Sequence, residues 1–137
     1  MLVQCNIQTL QDYFDRYGWV YRHDGQGIFY SGWSTKQKNY GLKITVSDTL
    51  FFFEVRLLAL SSWKVRNIEL TSFWEYLLEL NNNLSVVRLG LNEKDTVTLS
   101  SESFAEGFSY EQLVLMLGVI AHFSETIQKK LIWKLSE

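Results

Sequence analysis

Two alternating runs constrain this chain more than anything else in it. Val87, Leu89 and Leu91 interleave with Arg88, Gly90 and Asn92, and Val97 and Leu99 interleave with Thr96, Thr98 and Ser100. A period of two puts each apolar set on one face, which predicts two half-buried strands. The polar Asn92-Glu93-Lys94-Asp95 between them is the turn of a hairpin. Upstream, Ser72 and Glu75 fit an S-x-x-E capping box, and Phe73, Trp74, Leu77, Leu78, Leu80 and Leu84 recur at helical spacing. A helix of about three turns is expected there. Asn81, Asn82 and Asn83 stop it, because asparagine tolerates the left-handed conformation past a helix end. Downstream, Ser109 and Gln112 form a second capping box, with Phe108 and Leu113 placed to close a hydrophobic staple over it.

The N-terminal half is expected to begin with a short helix capped by Thr9, with Leu10, Tyr13, Phe14 and Tyr17 on one face, Asp12 in its first turn and Gly18 as its stop. A strand starting at Trp19, the turn Asp24-Gly25-Gln26-Gly27 and a strand from Ile28 to Ser34 make a hairpin. From Tyr40 to Ser47, Leu42, Ile44 and Val46 alternate with Lys43, Thr45 and Ser47. From Leu50 to Leu60, Phe51, Phe53, Val55 and Leu57 take one face, while Leu50, Phe52 and Leu58 share the other with Glu54 and Arg56. Under a single helical layer those three would stay wet, so that face is either covered a second time or an interface. Residues 61–69 read as an extended connection or a further strand end, and Glu102 to Gly107 as a polar loop. A last helix from Tyr110 towards Leu135 carries the stripe Leu113, Leu117, Ile120, Phe123, Ile127, Leu131, Leu135, with Trp133 off it.

The predicted class is α+β, with an antiparallel sheet of about five strands and three helices in the order α-β-β-β(-β)-α-β-β-α, because runs of neighbouring strands imply hairpins rather than parallel crossovers. The string LNNNLSVVRLGLNEKDTVTLSSES, followed by GFSYEQL opening a helix, resembles the second half of the YbjN-type domain. The first half, a short helix ending at Gly18-Trp19 and then strands, is similar more loosely. That bacterial family is regarded as one of candidate sensory-transduction regulators, and its fold is similar to the class I type III secretion chaperones. The resemblance implies a secretion-chaperone-like domain over nearly the whole chain, protein partners and no catalytic motif. The family's frequent prolines are absent here.

Composition narrows the functional classes. The 137 residues, 47% hydrophobic and 20% charged, suit one globular domain spanning 1–137. No apolar run approaches the ~18 residues of a membrane span, and the start lacks a basic stretch followed by an apolar one, so a cytoplasmic location without membrane association is expected. Cys5 is the single cysteine, which excludes an internal disulfide. A net charge of −2 with neither sign gathered into a block argues against nucleic acid. His23 beside Asp24 reads as a solvated turn residue, and His122 with Glu125 either as a surface pair or as two ligands that could share a metal across a dimer, too few to define a site. No phosphate-loop, dinucleotide, zinc-protease or nucleophile-elbow string occurs. The chain is therefore expected to use no cofactor and to be no enzyme.

The expected function is that of a non-enzymatic protein-binding module, chaperone-like or regulatory, acting as a homodimer that offers apolar and aromatic surface to another protein. Leu50, Phe52, Trp63, Trp74 and Trp133 are the candidate contact residues. The alternative is a small-ligand sensor with an aromatic cleft between helix and sheet, which the lack of convergent polar groups disfavours.

Overall fold

The alternating segments form one antiparallel sheet, and the helical segments cover one of its faces. The computed structural model of the chain describes residues 5–62, 70–92 and 94–136. Its strands are β1 (Arg22–His23), β2 (Ile28–Ser34), β3 (Asn39–Val46), β4 (Leu50–Ala59), β5 (Arg88–Leu91) and β6 (Thr96–Phe104). They pair in the order β1-β2-β3-β4-β6-β5, so the sheet has six strands, one more than expected. The helices are α1 (Ile7–Tyr17), α2 (Leu70–Asn82) and α3 (Tyr110–Leu135).

α1 ends at Gly18, whose φ of 89° suits glycine and whose N–H reaches the Phe14 carbonyl. Its cap is Asn6 rather than Thr9. The Asn6 Oδ1 accepts from the Thr9 N–H at 2.9 Å and from the Thr9 hydroxyl at 3.0 Å, so the helix starts a turn earlier and Asp12 lies beyond its first turn. α2 is already helical at Leu70, which places Ser72 and Glu75 inside the helix instead of at its cap. The capping box of α3 is formed as read. Ser109 Oγ accepts from the Gln112 N–H at 3.2 Å, and Gln112 Oε1 accepts from the Ser109 N–H at 2.9 Å.

Between sheet and helices, Leu10 and Phe14 of α1 and Leu113, Leu117, Ile120, Ile127 and Leu131 of α3 meet Phe29, Leu42, Ile44, Phe51, Phe53 and Val55. Phe123, read as part of the stripe, is half-buried, while Ser124 and Gln128 are buried. Cys5 lies in this layer, and burial pushes its thiol up to about 11, which keeps it unreactive near neutrality. Lys38 is tied in at the sheet end by donation to the Leu57 carbonyl, and burial lowers its pKa.

Two strands depart from simple alternation. The register shifts between Arg56 and Leu58 on β4, and this bulge turns Leu58 inward beside Leu57, so both are buried. β6 continues to Phe104, into the segment read as a loop. Ser100, Ser101, Glu102, Ser103 and Phe104 pair in turn with Glu54, Phe53, Phe52, Phe51 and Leu50. On the inner face there, the Ser101 hydroxyl donates to the Val86 carbonyl at 2.6 Å.

Candidate interaction surface

Cross-strand pairing identifies the residues of the sheet face turned away from α1 and α3. Tyr30 pairs with Lys43, Lys43 with Glu54, Glu54 with Ser100 and Ser100 with Arg88, so these side chains form one row crossing five strands. Arg22 adds the sixth strand through Tyr30. Phe52 stands in the next row, paired with Thr45 and Glu102, and Leu50 stands beyond it, paired with Phe104. Leu50 and Phe52 are thus half-buried neighbours on the open face, and Phe104, 72% exposed, extends them.

The open face is otherwise charged. Arg88 makes an ion pair with Glu102 at 3.6 Å and lies over the Phe52 ring at 5.9 Å, while Arg22 lies over the Tyr30 ring at 4.5 Å. Two hollows share Glu54 and Arg56. One, of about 380 Å³, is bounded by Tyr30, Gly41 and Lys43, and the other, of about 550 Å³, by Phe52, Arg88, Lys94, Thr98 and Ser100.

Trp74 belongs to a different surface. It is half-buried on α2 and borders a hollow of about 220 Å³ with Leu77, Leu78, Asn81, Leu89 and Leu91 at the outer edge of β5. Leu78 is 65% exposed there. The Asn81 side chain fastens helix to strand, donating from Nδ2 to the Leu89 carbonyl at 3.0 Å and accepting at Oδ1 from the Leu89 N–H at 2.7 Å. Trp133 is 62% exposed near the end of α3, where neighbouring Lys134 lies over Tyr76 of α2 at 5.3 Å. Trp63 lies outside the described residues.

The structure thus brings Leu50 and Phe52 together and leaves Trp74 and Trp133 on other elements. Phe104, Leu78 and Leu91 were missed by sequence reasoning. The polar character of residues 100–103 hid the length of β6, and an exposed leucine on a helix or edge strand looks like any core leucine in a one-dimensional pattern. His23 is held structurally. Its ring stacks on Phe29 at 4.5 Å, and its Nε2 accepts from the Gly27 N–H at 3.3 Å. Among the described residues no three His, Cys, Asp or Glu side chains gather into a metal site, and no helix is long and apolar enough to cross a membrane.

This arrangement, an antiparallel sheet with helices on one face and a helix fastened to its edge, defines an α+β fold shared by solved structures. YbjN of E. coli, described as a candidate transcription regulator, superposes with a TM-score of 0.68 at 18% identity, covering 94% of this chain and 93% of that one. A chain of the ExsC–ExsE complex gives 0.59 at 15% identity, covering 88% of each. The Yersinia pestis type III secretion chaperone SycH, crystallised with a stable fragment of YscM2, gives 0.56 at 15% identity, covering 85% of this chain and 94% of that one. The fold is therefore YbjN-like and secretion-chaperone-like, as the sequence resemblance implied. No protein-family model matches the chain, and no curated protein matches it in sequence.

Proposed function

We propose that this protein is a non-enzymatic, protein-binding module of chaperone-like or regulatory character, a single cytoplasmic domain over residues 1–137 that works as a homodimer. The observation carrying the proposal is the apolar surface left outside the core, in particular Trp74, Leu78 and Leu91 around the hollow at the edge of β5, and Trp133 on α3. Apolar residues gathered at a hollow favour association with a complementary surface, since contact removes them from water. Two proteins of the same fold, SycH and the matched chain of the ExsC–ExsE complex, were solved with protein partners. Leu50, Phe52, Trp63, Trp74 and Trp133 are the proposed contact residues. Trp74 and Trp133 have the size and rigidity of interface anchors, and Leu50 and Phe52 lie on an open sheet face.

Multi-angle light scattering at micromolar concentration tests the dimer. The expected mass is twice the 16.1 kDa of the chain, and a glutamate at position 78 or 133 should lower it. A single 16.1 kDa species at all concentrations would overturn the homodimer.

A further inference from the structure

The open sheet face carries a second kind of surface, polar and net positive. Arg22, Lys43, Arg56 and Arg88 stand on its strands against Glu54 and Glu102, on a chain whose formal charge is −2. Arg56 is central, because it borders both open-face hollows. It is exposed and has no ion-pair partner among the described residues. Directly across from it on β6 is Thr98, and the next residue of β6 on that face, across from Glu54, is Ser100. These two are only 7% and 8% exposed, yet among the described residues neither hydroxyl has a hydrogen-bond partner, and both line the larger hollow. These hydroxyls open onto the hollow and can donate to an acceptor seated in it. Glycines keep the space open on either side. Nothing lies within 4 Å of where a Cβ on Gly41 would sit, and Gly90, paired with Thr98, would meet only the Thr98 Oγ1 at 3.8 Å.

We propose that this trough docks an acidic segment of a partner polypeptide, with a glutamate or aspartate carboxylate seated between the Arg56 guanidinium and the Thr98 and Ser100 hydroxyls. The proposal rests on the protein-binding reading above and names the chemistry of one partner site. A planar guanidinium pairs with a carboxylate through two parallel hydrogen bonds, and the hydroxyls complete the acceptor's shell. Charge decides against the other occupants. A second copy docking this face on itself would bring two net-positive patches together, since a twofold contact places each patch on its own image. A single-stranded nucleic acid would need free rings for its bases, whereas Tyr30 and Phe52 already lie under Arg22 and Arg88. A small dicarboxylate would stay largely in water on a face that no described helix covers, while a chain can span both hollows.

Fluorescence anisotropy with the full-length protein tests this, using labelled 15-residue peptides of identical leucine content whose remaining positions are all Glu, all Gln or all Lys. The Glu peptide should bind at least about tenfold more tightly than the Gln peptide, and Arg56→Gln should erase that margin. The double variant T98V/S100A should weaken the Glu peptide several-fold while circular dichroism stays unchanged. Equal affinity for all three peptides, no binding of any, or an unaffected R56Q would overturn the trough. So would tighter binding of an oligothymidylate, competition by glutarate at equal concentration, or a dimer that R56Q splits. If the Gln peptide binds as well as the Glu peptide and Trp74→Ala abolishes both, the protein-binding reading stands and the acidic site falls.

Discussion

Strand β4 shows the two faces of the sheet within one run of residues. Phe51, Phe53 and Val55 point into the helices and are fully buried, while Leu50, Phe52, Glu54 and Arg56 alternate with them on the open side. On the covered face volume decides what fits, and the rings of Phe51 and Phe53 meet Phe108 at 5.0 and 6.3 Å. On the open face charge decides, because side chains there are spaced by cross-strand register and by the ions they attract. The helix-covered side explains why the chain folds. The side that no described helix covers is where the acidic-segment site is proposed.

That contrast breaks most visibly at adjacent phenylalanines. Phe53→Ala should cost about 3–5 kcal/mol in urea unfolding, because a full ring leaves a cavity in the packed layer. Phe52→Ala, on the half-buried side, should cost well under half of that, and equal losses would mean that the open face is covered after all. At the sheet edge, Asn81→Leu removes two hydrogen bonds to the Leu89 main chain, with an expected loss of about 1–3 kcal/mol and faster hydrogen exchange at the Leu89 amide.

The pH response sets the covered layer against an exposed turn, since each has its own titrating group. The Cys5 thiol, raised from 9.0 to about 11 by burial, favours the fold below pH 9 and loses that contribution as pH rises from 9 to 11. Cys5→Ala should flatten unfolding midpoints over that range. Asp24, in the exposed turn before β2, is held below its ordinary 3.8 by the N–H groups of Gln26 and Ile28, at 2.7 and 3.0 Å. Its contribution is present above 3.8 and is lost as pH falls through the lower folded value. Asp24→Asn, which keeps an acceptor oxygen, should lose less stability below about pH 4 than the parent protein. The smallest effect is expected at Trp133→Ala, within about 0.5 kcal/mol of the parent, because an exposed ring contributes little to the folded monomer.

Legibility in the sequence followed how local each signal was. α3 was read from its first residue to its last, since its cap and stripe lie within one continuous segment. β2 was read just as well from the glycines before it and its own run of residues. The start of α2 was missed because a capping box inside a helix looks the same as one at its end. The end of β6 was missed because Ser101, Glu102 and Ser103 carry no apolar alternation, and only their pairing with Phe53, Phe52 and Phe51 makes them a strand. The inward turn of Leu58 depends on a bulge that exists only against β6. The candidate surfaces split in the same way. Leu50 and Phe52 stood out within their own strand, whereas the grouping of Arg56 with Thr98 and Ser100 requires knowing which strands are neighbours.

The grip of Asn81 on Leu89 reaches beyond local stability. Outward-pointing main-chain groups recur at every second residue of an edge strand, so β5 offers only Leu89 and Leu91, and one of these is already taken. A neighbouring molecule trying to lengthen the sheet at this border finds a side-chain amide in the place of its first rung. Growth into fibrils through β5 is thereby checked, and any assembly on that side must proceed through side chains.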